Sequence, residues 1–183
     1  MSQRKYVRAG IAALAVIAAA AIAVPALAGG PPTRVTQKTV GGVKFVPNRS
    51  IADTMHFKKD RLVVAKGGKV ALVNTTDAPH TFSLVTKRQV PRKLAGVDAC
   101  FEKGPCGKLA VEHGAVNPDT GEEQEPTVPL VNKGKAGFNQ PGDSIIIPPH
   151  AKRSVGVTSG QSLYYICAIH PWMLGAINAP APR

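Results

Sequence analysis

Residues 164–175 read YYICAIHPWMLG, an aromatic and aliphatic run with the character of a β-strand that leads at once into Cys167, His170 and Met173. The spacing C-x-x-H-x-x-M lets one short turn offer a thiolate, an imidazole and a thioether to a common centre. Taken singly, each residue has a plainer use: Cys167 as a buried thiol, Met173 as a gap-filler in a core. The turn acquires another meaning only if a fourth donor reaches it from elsewhere in the chain.

Working outward, the flanking sequence is a series of short β-branched and apolar runs bounded by Gly, Pro, Asn and Asp, with no long helical periodicity. Strands are predicted at VKFV from Val43, RLVVA from Arg61, KVALVN from Lys69 and HTFSLVT from His80. Four more follow at SIIIP from Ser144, RSVGVT from Arg153, SLYYICA from Ser162 and LGAINA from Leu174. AKGGK and TSGQS supply tight turns, where glycine accepts a positive φ. Many short strands with turn signals between them predict an all-β sandwich. The stretch 88–142 departs from this pattern. It is rich in Gly and Pro, carries the acidic DTGEEQEP cluster and has only VPLVN as a possible strand. It is too long for an ordinary connection and is read as an insertion within one domain spanning 29–183, short of apolar residues for a core of its own.

Residues 1–28 differ from the rest. SQRKYVR is a basic head, Ala9 to Val24 is apolar, and PALA ends in small residues suited to signal-peptidase cleavage after Ala28. The apolar run is shorter than the roughly 20 residues of a membrane-spanning helix, so the expectation is a cleaved signal peptide and an extracytoplasmic product, periplasmic or secreted, without stable membrane insertion. Export makes disulfides admissible. Cys100 and Cys106 sit close together in DACFEKGPCGK and are expected to pair, while zinc binding with His113 is disfavoured by the C-x5-C spacing. Cys167 is then the odd thiol, in need of burial or a metal. Cleavage removes Arg4, Lys5 and Arg8 and lowers the formal charge from +12 to +9. Basic residues concentrate before position 94 and acidic ones between Asp98 and Glu125. Such asymmetry suits a partner protein with an acidic docking surface. Few aromatics and no recognisable binding motif speak against nucleic acid.

The donor missing from the turn is found in NTTDAPHTFSL, where His80 opens a strand directly after a turn. Two histidines and a cysteine in a plane with a weak, long axial methionine form a mononuclear type 1 (blue) copper site. With His80, Cys167, His170 and Met173 in those places, the chain resembles the cupredoxins, most closely the small amicyanin-like and plastocyanin-like proteins. Asn74, Pro79 and His80 match the first-ligand segment, and YYICAIHPWM matches the short ligand loop; the similarity runs over 43–86 and 142–179. The resemblance implies a cupredoxin-like Greek-key β-sandwich, one copper per chain, and a monomer that shuttles single electrons to a redox partner protein through the His170 edge beside Trp172. It also places an Asn after the first histidine, where this chain has Thr81, whose hydroxyl has a shorter reach.

Other classes fit the residues less well. A multicopper enzyme needs further histidines in H-x-H or H-C-H patterns, and a binuclear copper site needs a second cysteine in the loop; neither is present. The expectation is therefore a carrier and not an enzyme. The alternative is an extracytoplasmic copper chaperone or copper-storage protein, which would share the ligands but release the metal readily. His56, His113 and His150 have no evident ligand partners in the sequence and are assigned no role.

Overall fold

Two sheets stack across a core built from the inward-facing residues of alternating strands. The computed structural model describes residues 30–134 and 136–178, so the expected signal peptide lies outside the described residues. The first sheet joins β1 (Arg34–Val40), β4 (His56–Phe57), β6 (Gly68–Asn74) and β10 (Lys152–Val157) in the order β10-β6-β1-β4. The second joins β5 (Arg61–Leu62), β7 (His80–Val85), β8 (Leu130–Val131), β9 (Ser144–Ile147), β11 (Leu163–Ile166) and β12 (Leu174–Ile177) in the order β5-β12-β11-β7-β9-β8. A separate hairpin pairs β2 (Val43–Val46) with β3 (Ser50–Asp53). The chain is thus a cupredoxin-like β-sandwich. Its turns follow the glycines where a positive φ is needed, as at Gly67 (φ 80°) ahead of β6.

The core between the sheets includes Phe57, Leu62, Leu72, Phe82, Leu84, Phe138, Ile147, Tyr165 and Ile177. Phe82 and Tyr165 lie with ring centroids 4.4 Å apart, and Phe57 meets Tyr165 edge-on at 5.1 Å. Every predicted strand is present, and three were not predicted: β1, β3 and β4. β1 is central in its sheet, parallel to β6 and antiparallel to β4. Its buried residues are Gln37 and Thr39, so it shows no apolar alternation. Both are held by side-chain hydrogen bonds: Gln37 Nε2 donates to the Tyr165 hydroxyl (2.6 Å), and Thr39 Oγ1 donates to Asn74 Oδ1 (2.8 Å).

Within the segment 88–142 the sequence predicted no helix, and the structure has two: α1 (Leu94–Glu102) and α2 (Pro105–Glu112), with a 3-10 turn at Lys87–Gln89 before them. Proline at the first position of α2 costs no hydrogen bond, because that N–H has no intrahelical partner in any case. The Cys100–Cys106 disulfide ties the two helices together. Too short to persist alone, they are held by packing onto the outer face of the second sheet. There Val90, Cys100, Cys106 and Leu109 form a second apolar cluster with Val85, Ile166 and Ala168. Consequently all six residues of β7 are buried. The core faces His80, Phe82 and Leu84, and the insertion covers the side that bears Thr81, Ser83 and Val85. Among the described residues no helix is long and apolar enough to cross a membrane.

Candidate metal centre

His80 begins β7, and its place is set by the turn before it. Asn74, buried at the end of β6, spends its whole amide on tying that turn to β1 and to the end of β9. Its Nδ2 group donates to the carbonyls of Ala78 (2.8 Å), Pro148 (3.0 Å) and Ile147 (3.1 Å). Its Oδ1 accepts from Thr39 Oγ1, from the Thr76 amide (2.9 Å) and from Thr76 Oγ1 (2.9 Å). Thr76 Oγ1 in turn lies 2.8 Å from His80 Nε2. The Thr76 hydroxyl also reaches Asn74 Oδ1 and the Ala78 carbonyl (3.2 Å), and when its hydrogen goes to either of them the ring supplies the hydrogen of this last contact and takes the Nε2–H tautomer. The Nδ1 lone pair then faces the sandwich end, as a metal ligand must.

The other donors come from the β11–β12 turn. Cys167 follows β11 directly; its amide donates to the Met173 carbonyl (2.9 Å), and the Met173 amide donates to the His170 carbonyl (2.8 Å). Two backbone hydrogen bonds thus close a turn that brings His170 over Cys167. Cys167 Sγ lies 3.7 Å from His80 Nδ1 and 3.6 Å from His170 Nδ1. All three donor atoms fall within 4.8 Å of one another. Metal–nitrogen bonds of about 2.0–2.1 Å and a metal–sulfur bond of about 2.3 Å, set at trigonal angles, give sulfur-to-nitrogen edges of about 3.7 Å. The cluster matches that requirement, and its two imidazoles and one thiolate are the planar donor set of type 1 copper. Met173 is fully buried at the base of the same turn.

Burial prepares these groups for a cation. It lowers the His80 pKa to about 4, with the neighbouring His170 adding to the effect, and it lowers that of His170 despite the nearby Asp53 carboxylate. Both rings are therefore neutral, the form that ligates. Burial raises the Cys167 thiol, so a metal must displace its proton on binding. The Thr81 amide donates to Cys167 Sγ (3.3 Å), and Thr81 Oγ1 accepts the Ala168 amide (2.7 Å). Despite its short reach, the threonine therefore ties the two ligand segments directly. His170 is only half-buried, and Trp172, itself 44% exposed, meets it edge-on at 5.3 Å.

Several orienting groups escaped the sequence: Thr76, which sits in a plain polar turn, and the full reach of Asn74. His56 is exposed and bonds the Thr54 carbonyl, and His150 is exposed beside Asp77 (2.9 Å). His113, by contrast, is buried and hydrogen-bonded at both ring nitrogens. Cys100 and Cys106 are joined to each other and hold no metal.

A sandwich whose His–Cys–His cluster sits where one inter-strand turn meets the start of a neighbouring strand is a cupredoxin arrangement, with a donor set that fits a single copper ion. No family model matches the sequence, and no curated protein matches it. Solved structures similar to this chain include reduced auracyanin from the photosynthetic bacterium Roseiflexus castenholzii, at 13% identity over 82% of this chain and 100% of that one, with a TM-score of 0.43. A purple cupredoxin from Nitrosopumilus maritimus is similar at 11% identity over 78% and 96%, with a TM-score of 0.38. Amicyanin from Paracoccus versutus is similar at 11% identity over 82% and 84%, with a TM-score of 0.35.

Proposed function

We propose that this protein is an extracytoplasmic carrier of single electrons in which His80, Cys167, His170 and Met173 would hold one copper ion. The carrying observation is the convergence of the two Nδ1 atoms and the sulfur at trigonal spacing, in a frame that does not need to move. Copper supplies the one-electron couple. The protein supplies rigidity: Thr76 and Asn74 hold one ring, and the closed backbone turn and Thr81 hold the sulfur. Ligands that stay put as the metal changes charge keep the reorganisation small. The half-buried His170 beside Trp172 is the natural edge for the electron to cross.

The Cys100–Cys106 disulfide supports an oxidising compartment, in keeping with the signal-like residues 1–28. A groove of about 590 Å³ runs beside the turn, lined by Val90, Pro91, Leu94, Val97, Trp172 and Leu174 together with two cations, Arg92 and Lys93, and one carboxylate, Asp53. Lys87, Arg88 and Lys103 line a second groove alongside. A redox partner presenting an apolar knob ringed by carboxylates complements this surface, and its association would weaken as salt rises. The chaperone reading would require easy release, and the full burial of His80, Cys167 and Met173 disfavours it.

The test is the visible and EPR spectrum of the mature protein given Cu(II). An intense blue or purple charge-transfer band that Cys167→Ser abolishes is expected, with slow loss of metal to a Cu(I) chelator. A colourless wild type refutes the copper site; a coloured protein that surrenders Cu(I) within seconds refutes the carrier role in favour of the chaperone.

A further inference from the structure

We propose that His113, carried by the insertion, is a positioning residue for the Cys167 turn, acting through a buried chain of hydroxyl groups that crosses the second sheet. His113 follows α2, and its Nδ1 lies 2.6 Å from the Val128 carbonyl while its Nε2 lies 2.7 Å from Ser144 Oγ. Ser144 Oγ lies 2.6 Å from Ser83 Oγ on the adjacent strand, and Ser83 Oγ donates to Thr81 Oγ1 at 2.8 Å. Thr81 holds the Ala168 amide by its hydroxyl and the Cys167 sulfur by its own amide. His113, Ser144, Ser83, Thr81 and Cys167 are all buried, so no solvent competes along the path.

The direction of the hydrogens follows from the donor inventory. A carbonyl only accepts, so His113 Nδ1 carries a hydrogen. Each hydroxyl has one hydrogen. With Ser83 donating to Thr81, Ser144 must donate to Ser83, and His113 Nε2 must donate to Ser144. Both ring nitrogens then donate, which is the pattern of an imidazolium. A neutral ring reverses it: Ser144 turns to Nε2, Ser83 to Ser144, and the Thr81 hydroxyl hydrogen to Ser83. The two states differ at the far end. With the charged ring, the Thr81 hydroxyl hydrogen is freed from Ser83 and becomes available to the Cys167 turn, whose Ala168 amide that hydroxyl already holds; with the neutral ring it is withdrawn.

The surroundings of His113 keep the two states within reach of each other. Burial disfavours the cation and holds the ring below the usual histidine range, while the Val128 carbonyl and the Glu112 carboxylate favour it. Glu112 is itself paired with Lys133 (2.6 Å). Asp143, next to Ser144, spends its carboxylate on the amides of Lys133, Asn139 and Gln140. Hydrogen bonding around the cysteine sulfur tunes the potential of a type 1 copper site. Release of the Thr81 hydrogen toward the Cys167 turn weakens the sulfur's donation to the metal and favours Cu(I), so the potential should rise as pH falls through the His113 titration.

That last step rests on the copper reading, but the relay does not, and two experiments separate them. In the metal-free protein, NMR titration of the His113 ring and of the Ala168 and Thr81 amides should give one shared midpoint. The His80 and His170 rings are followed in the same spectra, which keeps their titrations apart. In Ser83→Ala, or in Ser144→Ala should the former not fold, His113 should still titrate while the Ala168 amide ceases to follow it. In the copper-loaded protein, the Cu(II) charge-transfer band should shift with the His113 midpoint, and His113→Gln should remove the shift while leaving the protein coloured. An Ala168 amide indifferent to His113, one that still follows it in both serine variants, or a ring that stays neutral until the protein unfolds would each overturn the relay. A colourless protein whose amides do follow His113 overturns the copper reading and upholds the relay.

Discussion

Replacing Asn74 with alanine should be among the most damaging single changes outside the ligands. Its side chain is 2% exposed and makes six hydrogen bonds that join β1, β6, the His80 turn and the loop after β9. Truncation leaves the Thr76 amide without its acceptor and takes one donor from each of three carbonyls, although Pro148 keeps the Ala151 amide (3.1 Å) and Ala78 keeps the Thr76 hydroxyl (3.2 Å). At about 1–3 kcal/mol per unsatisfied buried group, with the Ile147 carbonyl also losing a donor, a loss of about 2–4 kcal/mol is expected. Urea unfolding of the metal-free protein measures it as a lowered midpoint at unchanged slope. Because Thr76 also orients His80, copper affinity should fall about 10–100-fold, as is usual when a group behind a ligand is removed. Asn74→Asp sharpens the test. The carboxylate keeps the three acceptor contacts but turns an anion toward three carbonyls, so at neutral pH it should cost at least as much as alanine and recover on acidification. A loss below about 1 kcal/mol for Asn74→Ala, or an aspartate milder than alanine at neutral pH, would refute the account of how His80 is held.

Three further outcomes are expected. Met173→Gln should retain copper but lower its potential, because an oxygen donor in place of the thioether favours Cu(II); an unchanged potential under voltammetry shows that Met173 is not axial. The metal-free protein should lose stability as pH falls from 6.5 toward 4. Across that window the unfolded chain binds a proton that folded His80 refuses, which amounts to about 3 kcal/mol for His80, with His113 and His170 shifted in the same direction; a urea midpoint flat across this range refutes it. The double substitution Cys100→Ser, Cys106→Ser should cost about 2 kcal/mol through the freed loop and loosen the insertion, seen as proteolysis near α1 while the second sheet stays protected; an unchanged cleavage pattern shows that packing alone holds the helices.

The ligand turn was legible because Cys167, His170 and Met173 are contiguous, so their spacing survives in one dimension. His80 was legible from the turn chemistry before it. β1 was not, because its inward side chains are Gln37 and Thr39, and only Tyr165 and Asn74, far off in sequence, make those residues acceptable in a core. The helices were hidden for a related reason. They are nine and eight residues long, interrupted by Gly96 and Gly107, and their apolar partners belong to β7 and the β11 end, not to the insertion itself. His113 reads as an isolated histidine since its link to the site passes through two strands and three hydroxyl side chains, each ordinary alone.

The burial of β7 on both sides changes what counts as the outside of this molecule. In a plain two-tier sandwich the face bearing Thr81, Ser83 and Val85 would be wetted and free to vary; here it is an inner floor beneath a third tier. Shortening the chain to its bare sandwich would flood that floor with water along a row of serine and threonine hydroxyls. The insertion is therefore a structural storey of the building, and the strand that bears His80 should be the slowest of all to exchange its amide hydrogens.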